Sequence, residues 1–298
     1  MSQRSEEMIA LIDGDIVVHR VGYTTDNDNV GIAYARTDEM LDGILEETKA
    51  TEFSIYLSDS KDNNYRYQVS PDYKANRTLP RPVHMEAIKE YLVVQWGARF
   101  AYGMEADDAM GINQLPQGTV ICSIDKDLLQ IPGSHYNFVK KQWTEVSEWE
   151  GLKWFYQQML IGDSSDNVKG CKGIGPVKSG RIIGSVSQEQ GDFGLFSKVY
   201  QTYQVQEGKS EKQKDGKTDE EILSHILLVG RLLKIKQREE EPLWHFPLPR
   251  QTAELKSVST PPQPVEVTPS TEPMKPLECG SPSLGKLTDS GVPASPQL

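Results

Sequence analysis

Four short apolar segments of the chain each run into acidic residues, and this pattern limits the folds that the chain can adopt. The segments and their acids are Met8–Ile12 before Asp13, Phe53–Leu57 before Asp59, Arg99–Tyr102 before Glu105, and Thr119–Ile124 before Asp125. Helix-like stretches lie between them, at Asp38–Lys49, Val83–Trp96 and Glu105–Leu115. Such alternation predicts a parallel, doubly wound α/β sheet. Because ligands of these sheets bind beyond the carboxyl ends of the strands, we expect the acids to converge at one edge.

The second half of the chain has a different character. Helix-like stretches follow one another at Trp154–Ile161, Lys178–Ile183, Phe193–Tyr203 and Glu220–Ile235. From Gln251 onward the chain is rich in Pro, Ser and Thr and holds nine of its 18 prolines, a composition typical of disorder. We therefore predict an α/β domain over 1–162, a small α-helical domain over 163–250 and a disordered tail over 251–298.

The overall charge argues against a protein that coats nucleic acid or anionic membranes. Lys and Arg number 32 against 43 Asp and Glu, a net charge of −11 over 298 residues. The three cysteines lie far apart with no CxxC motif, which indicates a reducing compartment. We find no apolar stretch of membrane-spanning length and no signal peptide, so we expect a cytoplasmic, monomeric protein that does not contact membranes.

The acids also cluster along the chain, as EADD, DKD and GDSSD. Taken singly, each is more often a solvated surface residue or a helix cap. Taken together, so many carboxylates at one edge would repel strongly unless divalent cations neutralise them. Mg²⁺ prefers oxygen ligands and is completed by substrate phosphates. The candidate ligands are Asp13, Asp59, Glu105, Asp107, Asp108, Asp125, Asp127, Asp163 and Asp166, with Asp15 nearby.

Two further segments have the composition of phosphate-binding elements. The first is Tyr73-Lys74-Ala75-Asn76-Arg77, where two cations and an aromatic ring suit a phosphate and a stacked base. Its neighbours Lys61, Arg66 and Arg81 predict a local positive patch. The second is the glycine-rich segment Gly170–Lys178, which contains Lys172, Gly173, Gly175 and Lys178. A glycine hairpin that leads into a helix exposes backbone N–H groups to DNA phosphates, although a plain interhelical turn has the same pattern.

Six motifs in this order, DGD, LSDS, DYKANR, GMEADDAMG, CSIDKDL and GDSSDNVKGCKGIGPVKSGRI, resemble the flap endonuclease / 5′→3′ exonuclease family, and the phage-type members most closely. The resemblance runs from about Ile9 to Phe246. It implies a PIN-like α/β nuclease domain, a helix–three-turn–helix DNA-binding domain and a two-metal-ion hydrolysis of phosphodiesters. The substrates that it implies are 5′ ends, nicks and flaps of duplex DNA, and RNA–DNA hybrids during the removal of RNA primers in phage replication.

The resemblance also implies a role for each candidate residue. A first Mg²⁺, with Mn²⁺ as the alternative cation, would be held by Asp13, Asp59, Glu105, Asp107, Asp108 and Asp125, and a second by Asp127, Asp163 and Asp166. Lys74 and Arg77 would contact the scissile phosphate, and Tyr73 would stack on the terminal base. Lys172, Gly173, Gly175 and Lys178 would hold the duplex backbone, with a bound K⁺. Only five residues separate Arg77 from Val83, so any arch over the site is short.

Three other functions remain open on the sequence alone. Asp13-Gly14-Asp15-Ile16-Val17 fits the nucleophile motif of haloacid-dehalogenase-like phosphatases, with Asp13 as nucleophile. That alternative leaves EADD, DKD, DYKANR and the glycine hairpin unexplained. A non-catalytic DNA-binding protein and a PIN-type ribonuclease are the others. The ribonucleases usually lack the DNA-binding hairpin, and a non-catalytic protein would not need every carboxylate position filled.

Overall fold

A six-stranded, mostly parallel sheet forms the centre of the N-terminal part in the computed structural model, which describes residues 8–209 and 215–248. The strands are β1 (Ile9–Asp13), β2 (Glu52–Ser58), β3 (Arg99–Ala101), β4 (Thr119–Cys122), β5 (Gly133–Asn137) and β6 (Gln142–Val146). Their order is β3-β2-β1-β4-β5-β6, and β6 pairs antiparallel with β5 while the other pairs are parallel. The predicted α/β class is confirmed.

Helices cover both faces of this sheet. On one face pack α1 (Gly14–Thr24), α2 (Val30–Thr48) and α4 (Met85–Trp96), through residues such as Val17, Leu41 and Ile88. On the other lies α5 (Ala106–Asn113), whose Met110 packs with Leu11 of β1. Burial on both faces explains why the central strands read as continuous apolar runs.

The rest of the described chain is mainly helical. It contains α6 (Glu148–Ile161), α7 (Pro176–Gly184), α8 (Gly191–Glu207) and α9 (Asp219–Leu233), with a short hairpin of β7 (Gly162–Asp163) and β8 (Val168–Lys169). These elements share one hydrophobic cluster, which includes Phe155, Leu195 and Ile226. The helical region is as expected from the sequence, whereas the domain boundary at 162/163 stays a prediction.

Several elements were missed by the sequence analysis, among them α1, α3 (Tyr65–Val69), β5, β6 and the β7–β8 hairpin. The strands β5 (GSHYN) and β6 (QWTEV) are largely polar, and four of the five residues of the edge strand β6 are exposed, so both strands lack an apolar run. Helix α3 is only five residues long. The connection 70–84 contains neither helix nor strand, in agreement with the expected short arch.

Within the described residues, every helix is too short or too polar to cross a membrane. Cys122 and Cys171 are buried as free thiols. The tail 251–298, which the sequence analysis predicts to be disordered, lies outside the described residues.

Candidate active site

The carboxyl ends of β1 and β4 bring Asp13 and Asp125 together. Asp13 ends β1 and caps α1, where its Oδ1 accepts a hydrogen bond from the Ile16 amide at 3.1 Å. The Ser123 hydroxyl joins the two strand ends, because it donates to Asp13 Oδ2 at 2.6 Å and accepts from the Asp125 amide at 3.0 Å. The strand order reverses between β1 and β4, the position where open α/β sheets bind ligands. Sequence reasoning missed Ser123, although its place between a buried strand and the DKD motif was a usable signal.

Several carboxylates at this edge of the sheet have raised pKa values, which indicates that they repel one another. Burial and neighbouring carboxylates raise the pKa of Asp13 to about 7. On α5, burial and the charges of Asp13 and Asp125 hold the pKa of Asp107 well above its ordinary value. Burial, then Asp125 and Asp163, raise the pKa of Asp127 to about 8. These five side chains therefore form one cluster in which full ionisation is unfavourable.

The β7–β8 turn supplies the last two acids of the site. The Asp163 Oδ1 accepts hydrogen bonds from the Ser165 amide at 2.7 Å, the Ser165 hydroxyl at 2.6 Å and the Asp166 amide at 3.3 Å. Asp163 also shares a hydrogen bond with Asp127, so the turn adjoins the strand-end acids. A segment distant in sequence thus completes the acidic edge.

Lys74 and Arg77 lie beside this acidic edge and form ion pairs with two of its carboxylates. The Lys74 ammonium pairs with Glu105 and lies 3.6 Å from Asp166 Oδ2, while Arg77 bonds to Asp166 Oδ1 at 2.6 Å. Burial lowers the pKa of Lys74, but Glu105 and Asp166 raise it above its ordinary value overall, so the ammonium stays charged. The Arg77 side chain is 52% exposed and can turn towards solvent.

The donor set fits a hard divalent cation in its chemistry. Carboxylate oxygens are the ligands that Mg²⁺ prefers, and a cation would relieve the repulsion within the cluster. Across residues 8–209 and 215–248, no three His, Cys, Asp or Glu side chains stand in a geometry ready to hold a metal ion. Lys74 and Arg77 occupy oxygens of Glu105 and Asp166 in this structure. These ion pairs would have to open for both acids to serve as ligands.

Tyr73 occupies a different environment from the one expected for a stacking residue. Its ring is 3% exposed and packs edge-on against Tyr67 at 5.4 Å. The hydroxyl donates to Glu105 Oε2 at 3.0 Å and to Asp166 Oδ2 at 2.8 Å. In this arrangement Tyr73 positions acids, and stacking on a terminal base would require the loop to move.

Asp59 and Asp15 lie beside the cluster and bind backbone amides at the end of β2. Asp59 accepts hydrogen bonds from the Gly103 amide at 2.8 Å and the Asn63 side chain at 3.2 Å. The bond from Gly103 and the other hydrogen bonds lower the pKa of Asp59, in contrast to the pKa values of Asp13, Asp107 and Asp127. Asp15 accepts from the Ser58 amide at 3.0 Å. The Asp59 carboxylate is therefore occupied by hydrogen-bond donors of Ser60, Asn63 and Gly103.

Asp108 is withdrawn from the site by Arg66. The Arg66 guanidinium binds both oxygens of Asp108 and lies 3.5 Å from Glu105 Oε2. Asp108 also accepts a hydrogen bond from the Lys236 amide at 3.0 Å, and it has no exposed surface. The expectation that Arg66 belongs to a surface positive patch is wrong, because its guanidinium is enclosed and neutralised by acids that are distant in sequence.

The glycine-rich segment forms a hairpin that leads into α7. Gly173 has a φ of +72°, a conformation that L side chains rarely adopt. Gly175 caps α7, and Lys172 and Lys178 are exposed beside it. The Lys178 ammonium bonds to the Gly173 carbonyl at 3.0 Å. The hairpin thus presents cations and a helix N-terminus on one surface, as backbone phosphate binding requires.

Comparison with known proteins agrees with this geometry. The family model of the 5′-3′ exonuclease N-terminal, resolvase-like domain matches residues 8–158, just over half of the chain. A 5′-3′ exonuclease of Mycoplasmopsis pulmonis is 24% identical over 266 residues, which cover 80% of this chain and 86% of the relative. A 5′-3′ exonuclease of Mycoplasma pneumoniae is 28% identical over 231 residues, covering 64% and 78%.

Solved structures show the same fold. The T5 5′-exonuclease superposes with a TM-score of 0.52 at 17% identity, covering 75% of this chain and 89% of that chain. A second structure of the T5 protein gives 0.53 at 18% identity, covering 78% and 89%. On the strength of the family match, the chain belongs to the 5′-3′ exonuclease family.

Proposed function

We propose that this protein is a divalent-cation-dependent 5′→3′ exonuclease and flap endonuclease that cleaves DNA at 5′ ends, nicks and flaps. The observation that carries the proposal is the acidic cluster of Asp13, Asp107, Asp125, Asp127 and Asp163, next to which Lys74 and Arg77 pair with Glu105 and Asp166. The relatives named as 5′-3′ exonucleases support it. A Flap endonuclease Xni of Pectobacterium carotovorum, 26% identical over 151 residues, supports the flap activity.

The cations that we propose are two Mg²⁺ ions, with Mn²⁺ as a substitute. Asp13, Asp107 and Asp125 would hold the first, and Asp127, Asp163 and Asp166 the second. Support comes from the T5 5′-exonuclease, which has been solved with divalent zinc ions bound. When bound, the cations would lower the pKa of a water and neutralise charge at the phosphate.

The chain's own residues would position the phosphate and the acids. Ser123 holds Asp13 against the end of β4. Lys74 and Arg77 would exchange their bonds to Glu105 and Asp166 for the scissile phosphate, where charge grows during the reaction. Tyr73 would keep Glu105 and Asp166 in place through its hydroxyl.

Recognition would depend on nucleic-acid structure, because phosphate contacts carry no base information. The hairpin around Gly173 and Gly175, with Lys172 and Lys178, would hold the duplex backbone, together with a bound K⁺. The T5 flap endonuclease has been solved in a pseudo-enzyme-product complex with DNA and metal ions, which supports a DNA substrate. We extend the proposal to RNA–DNA hybrids, to primer removal in phage replication, and to a monomer in the cytoplasm.

The test is cleavage of a 5′-labelled nicked or flapped duplex with Mg²⁺ and with EDTA, beside a single-stranded control. We expect short 5′ products from the duplex in Mg²⁺ alone. The matched control is Asp107→Asn, which should bind the duplex without cleaving it. Absence of cleavage with every divalent cation would overturn the proposal.

The phosphatase alternative has little support in the structure. Asp13 would be its nucleophile, yet both Asp13 oxygens are held by Ile16 and Ser123, and the side chain is buried. Phosphoaspartate trapped on Asp13 would revive this alternative, since the nuclease reaction forms no covalent intermediate.

A further inference from the structure

The five residues Leu232–Lys236, where α9 ends, form backbone hydrogen bonds with three side chains of the nuclease region, the part of the chain that precedes residue 163. Arg66 donates to the Leu232 carbonyl at 2.9 Å and to the Lys234 carbonyl at 3.0 Å. Gln130 donates to the Leu233 carbonyl at 2.7 Å and accepts from the Ile235 amide at 3.2 Å. Asp108 accepts from the Lys236 amide at 3.0 Å. Each of five consecutive residues thus contributes one backbone group, which restrains this segment more tightly than a single contact would.

The three side chains that hold this segment are buried and lie next to the acidic cluster. Asp108 follows Asp107 on α5, and Gln130 ends the 3-10 helix that begins at Asp127. Arg66 lies 3.5 Å from Glu105 Oε2. Any movement of the segment Leu232–Lys236 would therefore displace the elements that carry the acids.

The first half of α9 belongs to the same hydrophobic cluster as the glycine-rich hairpin that we propose to bind DNA. Ile222 and Ile226 of α9 share a hydrophobic cluster with Cys171 and Ile174 of the hairpin. Helix α9 has 15 residues and is therefore about 22 Å long, which makes it a rigid connection between the hairpin and the segment Leu232–Lys236.

We propose that Arg66, Asp108 and Gln130 form a positioning joint that sets the distance between the hairpin and the acidic cluster, and thereby selects the phosphodiester that is cleaved. This inference rests on the proposed nuclease function and concerns its specificity. Duplex DNA advances about 3.4 Å per base pair, so a displacement of about 3 Å at the joint moves a neighbouring phosphodiester into the site. In this role Asp108 acts through its neighbours and is not a metal ligand.

The packing at Gly111 offers a second way to displace the joint. Gly111 lies on α5, and a Cβ there would collide with the carbonyl of Lys236. Replacing Gly111 by alanine therefore pushes the segment away from α5 while leaving the three polar side chains unchanged.

The experiment compares product lengths from one 5′-labelled flapped duplex, cleaved by the full chain and by two variants. Arg66→Lys keeps the charge but loses the planar fork that binds Asp108 and two carbonyls together. Gly111→Ala alters the spacing sterically. For both variants we expect a several-fold larger share of products from neighbouring phosphodiesters. Thermal melts identify a temperature at which the variants are folded.

The matched control is Asp38→Asn, which weakens hydrogen bonds from Tyr91 and Trp96 far from the joint. It should lower stability and leave the product lengths unchanged. Suppose that Arg66→Lys and Gly111→Ala form less product, but that this product has the same length as the product of the wild type. The joint then does not select the phosphodiester, and this inference is overturned. A wild-type protein that cleaves nothing would overturn the proposed function, and this inference with it.

Discussion

At the scale of single residues, two adjacent aspartates on α5 have opposite environments. Asp107 faces other carboxylates, and its pKa is raised by burial and by Asp13 and Asp125. Asp108 faces Arg66, which neutralises it. The sequence EADD could not separate them, because Arg66 is 42 residues away and looks like any surface arginine in its own segment. Adjacent helical residues point in different directions, so proximity in sequence does not imply a shared role.

Single replacements of the two aspartates should therefore have different effects. We expect Asp107→Asn to abolish cleavage and leave the fold intact, since it removes a repelling charge. Asp108→Asn leaves the buried Arg66 charge without its partner, at a cost of about 3–5 kcal/mol in the free energy of unfolding, or roughly 10 °C in Tm. Cleavage assays and thermal melts monitored by circular dichroism measure both. Equal Tm values for the two variants would contradict this assignment.

The raised pKa of Asp13 predicts how stability depends on pH. The folded-state pKa of about 7 exceeds the ordinary 3.8, so ionisation of Asp13 destabilises the fold. This penalty is absent below about pH 3.8, grows as the pH rises towards 7 and is complete above it. In EDTA at pH 8, Asp13→Asn should therefore melt several degrees above the wild type, and at pH 5 the difference should shrink.

Asp59→Asn is the control of opposite sign for this measurement. Hydrogen bonds from Gly103 and Ser60 lower the pKa of Asp59, so its ionised form stabilises the fold and is present at pH 8. We expect Asp59→Asn to melt below the wild type at pH 8. A fall in Tm for Asp13→Asn at pH 8 would show that its hydrogen bonds outweigh the repulsion.

At the scale of elements, the sequence predicts strands that contain an apolar run and misses those that do not. The runs before Asp13 and Asp125 are apolar because helices cover both sides of β1 and β4. Strands β5 and β6, of which β6 lies at the edge of the sheet, contain few apolar residues, so periodicity cannot distinguish them from loops. Periodicity also gives no sign that the β7–β8 turn approaches Asp127; only the family resemblance groups Asp163 with Asp127, and tertiary packing brings them together.

The hairpin before α7 makes a prediction about salt dependence. Each lysine–phosphate contact contributes about 0.9 to the slope of log affinity against log salt concentration. The double variant Lys172→Ala, Lys178→Ala should therefore lower this slope by roughly 1–2 and leave kcat at saturating substrate unchanged. Fluorescence anisotropy titrations of a duplex at several salt concentrations measure the slope. Lys140→Ala, in the β5–β6 turn, is the control and should not alter it. An unchanged slope for the double variant would remove the hairpin from the DNA interface.

At the scale of the whole molecule, the acidic cluster makes stability depend on divalent cations. Cation binding to the folded state alone adds about 2.7 kcal/mol when the cation is present at 100 times its Kd, which raises Tm by roughly 5–10 °C for a chain of this size. Because the joint at Leu232–Lys236 connects α9 to the elements that carry the acids, we expect the nuclease and helical regions to melt in one shifted transition.

The increase in Tm on adding Mg²⁺ should be larger at pH 8 than at pH 6, since the carboxylates must lose protons to bind the cation. Calorimetry of the wild type with Mg²⁺ and with EDTA measures it, and the double variant Asp107→Asn, Asp127→Asn should lose the shift. Two separate transitions, with only one responding to Mg²⁺, would mean that the joint does not couple the regions.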